Sequence, residues 1–206
     1  MNSKKVVIID YGMGNVASVQ KALNYLQINN EISNSEKEIE SADFLILPGV
    51  GSYRQGMSNL KEYGLLDILN DQVLIKLKPI LGICLGMQLF SESGTEPEYS
   101  KGLGWIKGEV VKIPNSGLRI PHLGWNNTCF LSPKWSEFND KDFYYIHSYH
   151  FAVNNKENVL ATVNYGIELV AAIQYKNIMA TQFHPEKSQE IGLSLLKQFF
   201  INYAKN

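Results

Sequence analysis

Residues 80–88 read Ile-Leu-Gly-Ile-Cys-Leu-Gly-Met-Gln and place a cysteine between two glycines, directly after a short apolar run. A four-residue apolar run with β-branched side chains is typical of a buried strand in a parallel sheet. The residues after Cys84 have a helical pattern, which predicts that the cysteine occupies the tight strand-to-helix turn where many hydrolases hold their nucleophile. The N–H groups at the start of such a helix favour a thiolate.

Gly82 and Gly86 flank Cys84 because this turn is crowded, and a side chain at either position is expected to collide with neighbouring backbone. Cys84 itself is expected in strained dihedrals at the carboxyl edge of the sheet. The second cysteine, Cys129, lies in the strand-like stretch 127–131 without such flanks. We interpret Cys129 as structural and Cys84 as the candidate nucleophile.

Short apolar runs alternate with helical patterns through the first half of the chain. Residues 6–9 and 44–47 are apolar runs like the one before Cys84. A second helical stretch is predicted over about residues 54–77. Alternation of this kind predicts a parallel sheet with helices on both faces. The first helix presents one apolar face, formed by Val16, Val19, Leu23 and Leu26.

The middle of the chain, about residues 102–175, has a different texture. Segments 105–113, 143–153 and 159–165 are rich in aromatic and β-branched residues, which predicts antiparallel or mixed strands. The chain then returns to a predicted strand at 178–183.

A last helix is predicted after that strand, with Ser188 as its N-cap. Its apolar stripe consists of Ile191, Leu195, Leu196, Phe199, Phe200 and Tyr203. We therefore predict an α/β fold in a single domain over residues 1–206. A mostly parallel central sheet is flanked by helices and carries an additional antiparallel or mixed portion.

The composition is that of a globular protein without a strong charge. Of its 206 residues, 45% are hydrophobic and 19% are charged, and the net charge is -1. This balance predicts neither a nucleic-acid partner nor an anionic membrane as partner. Two cysteines are few for a secreted disulfide framework. No apolar run is long enough for a membrane span or a signal peptide, so we expect a cytoplasmic protein.

A cysteine nucleophile requires a base, and His184 is the best placed of the four histidines. It ends a strand-like run in the sequence Gln-Phe-His-Pro-Glu-Lys-Ser, residues 182–188. Pro185 favours extended backbone at His184, and residues i and i+2 of an extended chain face the same side. The carboxylate of Glu186 is therefore expected beside the imidazole, where it orients the ring.

Acyl transfer also needs N–H donors for a developing oxyanion. The backbone N–H of Leu85 is one candidate, and the N–H of Val50 in Pro-Gly-Val-Gly, residues 48–51, is the other. The glycines of that loop allow close approach and unusual dihedrals. We hypothesise that a flip of the Gly49–Val50 peptide switches the donor on and off.

Three motifs together, GICLGMQ at 82–88, PGVG at 48–51 and QFHPEKS at 182–188, resemble those of the class I, or triad, glutamine amidotransferases. The resemblance covers nearly the whole chain and implies a flavodoxin-like sheet. IDYGMGN at 9–15, PHLGWN at 121–126 and YYIHSY at 144–149 resemble more narrowly the glutaminase subunits of imidazole glycerol phosphate synthases.

The resemblance implies that Cys84 attacks the side-chain amide of L-glutamine, that His184 relays the proton to leaving ammonia, and that Glu186 orients His184. A glutamyl thioester is then hydrolysed by water. The residues that the resemblance assigns to glutamine binding are Gly49, Gly51, Gln88, Ser148 and Tyr149. It implies no cofactor and no metal.

The resemblance also implies a heterodimer with a (β/α)8-barrel cyclase subunit, to which ammonia passes without meeting bulk water. That partner would form imidazole glycerol phosphate and AICAR in histidine biosynthesis. Asn15, Trp125 and Lys187 resemble partner-facing positions. For these three residues a loop cap, a core aromatic and a solvated charge are equally open interpretations.

Other functions stay open at this point. The segment Ser52-Tyr53-Arg54 is bulkier and more basic than the family pattern, and a sister group of glutaminases serves the amination of surface-polysaccharide sugars. A stand-alone cysteine hydrolase would use the same residues without a partner. A non-catalytic docking module is disfavoured because Cys84, His184 and Glu186 are all present. A phosphate-binding loop at 10–15 is disfavoured because G-x-G-x-x-G is not completed there.

Overall fold

The computed structural model of the protein describes residues 4–115 and 117–204. Its main sheet has nine strands in the order β2-β1-β3-β4-β13-β12-β11-β8-β9. The first five run parallel to one another, in the strand order of flavodoxin-like folds. They are β1 (Val6–Ile9), β2 (Asn30–Ser33), β3 (Phe44–Leu47), β4 (Ile80–Ile83) and β13 (Ile178–Thr181).

The other four strands of the main sheet are antiparallel. They are β8 (His122–Phe130), β9 (Lys141–His147), β11 (Val159–Asn164) and β12 (Glu168–Tyr175). A smaller mixed sheet has the order β10-β7-β5-β6. It consists of β5 (Ser93–Gly94), β6 (Ser100–Lys101), β7 (Gly108–Lys112) and β10 (Tyr149–Val153). The predicted α/β class, with a parallel core and an antiparallel or mixed extension, is confirmed.

Helices cover both faces of the sheet, and the apolar residues divide into two buried clusters. Consecutive residues of β1, such as Val7 and Ile8, belong to opposite clusters, because successive side chains of a strand point to opposite faces of the sheet. The α-helices are α1 (Val16–Tyr25), α2 (Glu36–Ser41), α3 (Tyr53–Glu62), α4 (Leu65–Asn70), α5 (Leu85–Leu89) and α6 (Gln189–Tyr203). A π-helical turn (Asp71–Ile75) follows α4, and 3-10 turns occur at Pro133–Phe138, Lys156–Asn158 and Pro185–Lys187.

Two local predictions need correction. The helical stretch predicted over 54–77 is broken at Gly64, whose φ of 70° ends α3 in a left-handed residue. The strand predicted over 143–153 is split at Ser148, where the chain leaves the main sheet for the small one. Ser188 is the N-cap residue of α6, as predicted, and its carbonyl accepts from the N–H of Gly192. Its hydroxyl does not cap the helix, because it donates to the carbonyl of His184 and accepts from the N–H of Tyr144.

The parallel strands bring β4 and β13 side by side, with Thr181 opposite Ile83. The residues that follow both strands therefore meet at one sheet edge, where open α/β sheets hold their sites. In the described residues, no helix is both long and apolar enough to cross a membrane.

Candidate active site

Cys84 occupies the turn between β4 and α5 in the strained conformation that the flanking glycines predict. Its φ of 53° and ψ of -105° lie outside the regions that most residues adopt. A Cβ at Gly86 would fall 1.8 Å from the carbonyl oxygen of Leu47, and one at Gly82 would fall 2.7 Å from the ring of Phe90. The turn is therefore too crowded for a side chain at either position.

His184 lies beyond β13, and its Nδ1 is 2.7 Å from Oε1 of Glu186. Both side chains are 0% exposed. His184 is extended, as Pro185 predicts, with φ of -98° and ψ of 95°. Glu186, however, reaches the ring from a 3-10 turn at Pro185–Lys187 and not along an extended strand. The predicted contact is present, but a turn makes it.

The two charges stabilise each other in this buried place. Burial alone would lower the pKa of His184, but Cys84 and Glu186 together raise it well above its usual value. Burial would likewise raise the pKa of Glu186, but hydrogen bonding to His184 and Asn15 holds it below its usual value. The structure therefore favours an imidazolium at His184 facing a carboxylate at Glu186.

Asn15 belongs to this group of residues and not to a free surface. Its side-chain amide donates to Oε1 of Glu186, and it lies 3.4 Å from Nδ1 of His184. The residue is half-buried. Its φ of 66° turns the loop before α1 toward the carboxylate, and its side chain does not cap that helix. Asn15 caps α1 with its backbone carbonyl, which accepts from the N–H groups of Ser18 and Val19, whereas its side chain binds Glu186. The partner-facing interpretation of Asn15 stays a prediction.

The thiol of Cys84 faces the antiparallel part of the fold. Its Sγ lies 3.6 Å from Nε2 of Gln182 and 3.8 Å from the carbonyl oxygen of Ile146. Nε2 of His184 is buried and has no hydrogen-bond partner among residues 4–115 and 117–204. The thiol is nonetheless close enough to His184 to perturb its pKa.

The expected oxyanion donors are both engaged elsewhere. The N–H of Leu85 donates to the carbonyl of Gly49 at 3.3 Å, and the N–H of Val50 donates to the carbonyl of Met13 at 3.0 Å. The Gly49–Val50 peptide thus presents its carbonyl to the turn at Cys84 and its N–H to the opposite side. The oxyanion site predicted at Val50 and Leu85 is not formed in this conformation, because one peptide has the wrong orientation.

A cavity of about 160 Å³ adjoins Cys84. It brings together four residues predicted to bind glutamine, since Gly51, Gln88, Ser148 and Tyr149 all line it. Gln88 is buried, and its amide donates to the carbonyl of Tyr149 at 2.9 Å. Gly49, the fifth predicted residue, does not line the cavity.

Sequence reasoning did not single out several residues of this site. Glu96, Ile146 and His147 line the cavity, and Gln182 contacts the thiol. Gln182 and His147 stand inside quoted motifs, so their positions could have been considered. Glu96 could not be recognised from the sequence, because the residues before it, 91–95, are mostly polar and form no motif. Burial raises its pKa.

Trp125 and Lys187 are both exposed. Trp125 is 47% exposed on β8 and packs edge-on against Tyr144 of β9. The core-aromatic interpretation of Trp125 is therefore wrong, whereas the partner-facing one stays a prediction. Cys129 is exposed on β8, far along the strand from the site.

The family model for "Glutamine amidotransferase class-I" matches residues 7–203. The imidazole glycerol phosphate synthase subunit HisH 1 of Campylobacter jejuni is 48% identical over 94% of this chain and 98% of its own length. HisH 2 of Vibrio vulnificus is 48% identical over 95% and 93%, and HisH of Listeria innocua is 43% identical over 94% of both.

Solved structures agree in fold. A glutamine amidotransferase crystal structure has a TM-score of 0.77 at 20% identity and covers 96% of this chain and 98% of its own. A PurLQS structure from Thermotoga maritima has a TM-score of 0.76 at 17% identity, covering 98% and 99%. The chain therefore belongs to the class-I glutamine amidotransferase family, in the group of its HisH subunits.

Proposed function

We propose that this protein is the glutaminase subunit of an imidazole glycerol phosphate synthase and acts as one domain in the cytoplasm. Sγ of Cys84 attacks the side-chain carbonyl carbon of glutamine. The amide nitrogen receives a proton from His184 and leaves as ammonia. Water, deprotonated by His184, then hydrolyses the glutamyl thioester to glutamate and restores the thiol.

One observation carries the proposal: a cysteine in a strained strand-to-helix turn lies beside a buried histidine that is held by a buried glutamate. A raised pKa of His184 supports the role of proton donor, since the ring holds a proton that it can give to the leaving nitrogen. Asn15 supports the same arrangement by holding the carboxylate of Glu186.

The cavity beside Cys84 supports glutamine as the substrate. The residues that line it include Gln88, Glu96 and Ser148, whose polar side chains suit the α-amino and α-carboxylate groups of an amino acid. We assign Gln88 and Gly51 to the body of the substrate and the backbone at Ser148 and Tyr149 to its α-substituents. Cys84 lines the same cavity.

The orientation of the Gly49–Val50 peptide supports a resting state of low activity. When that peptide turns over, the N–H of Val50 replaces the Gly49 carbonyl in front of Leu85 and Cys84. Leu85 is then released to act as the second donor. Binding of the partner and its ligand is proposed to favour the turned form, which would limit glutamine hydrolysis in the free subunit.

The exposed face of the β8–β9 pair supports a docking role toward a (β/α)8-barrel cyclase. Leu123, Trp125 and Ile146 are 58%, 47% and 39% exposed, and Leu123 pairs with Ile146 across the strands. Exposed apolar groups in such a cluster mark interaction surfaces. Ile146 also lines the cavity, so ammonia leaves the site next to this face. Lys187 is assigned to the rim of the interface.

The test measures glutamate release from glutamine by the chain alone and with a candidate barrel cyclase plus its nucleotide ligand. Cys84→Ala is expected to abolish activity, whereas Cys129→Ala, on an exposed strand, is expected to leave it unchanged. Low activity alone, with strong stimulation by cyclase and ligand, supports the synthase subunit. Equal activity with and without the cyclase contradicts that partner and favours a sugar-amination partner or a stand-alone hydrolase. Absence of Cys84-dependent glutamate in every condition contradicts the glutaminase itself.

A further inference from the structure

The hydroxyl of Tyr11 is a buried polar group that takes no part in the site described above. Tyr11 is 1% exposed, and its hydroxyl has no hydrogen-bond partner among residues 4–115 and 117–204. An unsatisfied buried hydroxyl is unfavourable and is rare in native proteins. Burial raises the pKa of Tyr11 well above its usual value, so the phenol keeps its proton and remains a donor.

This hydroxyl lies directly on Gly49. A Cβ built at Gly49 would fall 2.2 Å from the Tyr11 oxygen and 3.2 Å from Cβ of Leu85. Glycine is therefore required at this position, because any side chain would displace the phenol. The contact places an unused donor next to the one peptide whose orientation closes the oxyanion site.

Turning the Gly49–Val50 peptide creates a need for such a donor. In the resting state the Gly49 carbonyl accepts from Leu85, and the Val50 N–H donates to Met13. After the turn the Gly49 carbonyl faces the Met13 carbonyl, and it has lost the N–H of Leu85. Two carbonyl groups without a donor between them would oppose the turn, since a buried acceptor is costly to leave unpaired.

We propose that Tyr11 is a positioning residue for the oxyanion donor, whose hydroxyl bonds the Gly49 carbonyl in the turned form of the loop. The inference rests on the proposed glutaminase function. The same hydroxyl is unsatisfied at rest and satisfied after the turn, so it lowers the free energy of the turned form relative to the resting one. Tyr11 does not line the cavity beside Cys84, and it acts through the Gly49–Val50 peptide.

Tyr11→Phe removes the oxygen and keeps the ring. In the complex with cyclase and its ligand, kcat for glutamine hydrolysis is expected to fall about tenfold, as for the loss of one buried hydrogen bond. KM for glutamine is expected to stay unchanged, because the turned peptide serves the transition state. The Tm of the free chain is expected to stay equal or rise, because an unsatisfied group is removed from the resting state.

Tyr53→Phe is the matched control. Tyr53 is equally buried in the same apolar cluster, but its hydroxyl already bonds Oγ of Ser91 at 2.8 Å. This variant is expected to lower Tm and leave kcat intact. The contrast separates a role in the turned loop from a role in packing.

An unchanged kcat in Tyr11→Phe overturns the inference and leaves the proposed function standing. A fall in kcat together with a fall in Tm like that of Tyr53→Phe also overturns it, because the hydroxyl would then act in the resting fold. A wild-type complex without Cys84-dependent glutamate release overturns the proposed function, and the inference with it.

Discussion

The proton-transfer residues on one side of Cys84 and the oxyanion donors on the other differ in whether they are already arranged for catalysis. On one side His184, Glu186 and Asn15 are joined by hydrogen bonds, and the side chains of His184 and Glu186 are fully buried. On the other side the N–H groups of Val50 and Leu85 are engaged with backbone carbonyls and do not face the thiol. The group that moves protons is thus assembled, whereas the group that stabilises negative charge is not.

This difference has a physical cause in the backbone of each side. The proton-transfer side rests on a strand end and a turn, and both are tied to β9 by the N–H of His184 and the hydroxyl of Ser188. The oxyanion side rests on a glycine-flanked loop in which Gly51 has a φ of 116°. A glycine-rich peptide turns over readily, so this is the side on which activity can be regulated without disturbing the charges.

The largest effect on kcat is expected on the assembled side, which is the proton-transfer group of His184, Glu186 and Asn15. Glu186→Gln leaves a neutral group beside His184 that neither fixes the tautomer nor stabilises the imidazolium. We expect kcat in the partner complex to fall by about 10²–10⁴. Steady-state glutaminase assays measure this change.

Glu190→Gln serves as the control, since Glu190 is an exposed residue in the first turn of α6. It is expected to keep wild-type activity. If Glu186→Gln retains more than about a tenth of the wild-type kcat, Glu186 does not orient the base in the way the contact indicates.

A second experiment separates the two sides directly. Alkylation of Cys84 by iodoacetamide needs the thiol and its base but develops no oxyanion. We expect the partner complex to alkylate within about threefold of the free chain, while glutamine hydrolysis rises by about 10²–10³. Mass spectrometry follows the alkylation, and Cys129→Ala removes the background from the exposed thiol.

If the rates of alkylation and of glutamine hydrolysis rise together, the partner also changes the thiol and its base. The proton-transfer residues are then not fully arranged in the free chain. If hydrolysis does not rise, the loop is not the regulated element. Either outcome would remove the contrast between the two sides.

Sequence patterns predicted the assembled side well for a local reason. An apolar run predicts a strand, and the strand fixes the position of the residues that directly follow it. Segments 80–84 and 178–186 could therefore be interpreted without other parts of the chain. Glu186 is two residues from His184, and their contact depends only on the backbone between them.

The other parts depend on contacts between distant segments, which no local pattern encodes. Asn15 meets Glu186 across 171 positions of the sequence. The orientation of the Gly49–Val50 peptide is decided by the carbonyl of Met13. The split at Ser148 depends on which sheet each half joins, although its composition suits a strand throughout.

Asn15 offers a smaller test of the assembled side. Asn15→Ala removes the amide that donates to Glu186 but leaves the contact between Glu186 and His184. We expect kcat to fall about tenfold, as for the loss of one hydrogen bond to a charged group. Asn154→Ala, at an exposed position, is the control. A loss of partner affinity at unchanged kcat would instead support the partner-facing interpretation of Asn15.

The smallest effect is expected in the pH dependence of stability. The pKa of His184 is raised above its usual 6.5, so the stability it contributes is complete below pH 6.5 and is lost as the pH rises through the raised value. The pKa of Glu186 is held below its usual 4.5, so its contribution is present above pH 4.5 and is lost on acidification. The pair therefore stabilises the fold most between these two values.

Cys84 also raises the pKa of His184, so Glu186→Gln removes only the part of this contribution that comes from Glu186. The difference in Tm between wild type and Glu186→Gln, measured by thermal unfolding from pH 4 to pH 9, follows that part. We expect the difference to be largest near pH 5–6 and to narrow toward pH 9, because only a charged imidazole gains from the carboxylate. A difference that stays constant or widens with pH would mean that His184 is neutral at rest. In that case the proton for the leaving ammonia has to come from the thiol during attack. His184 of the free chain would then act first as a base and not as an acid.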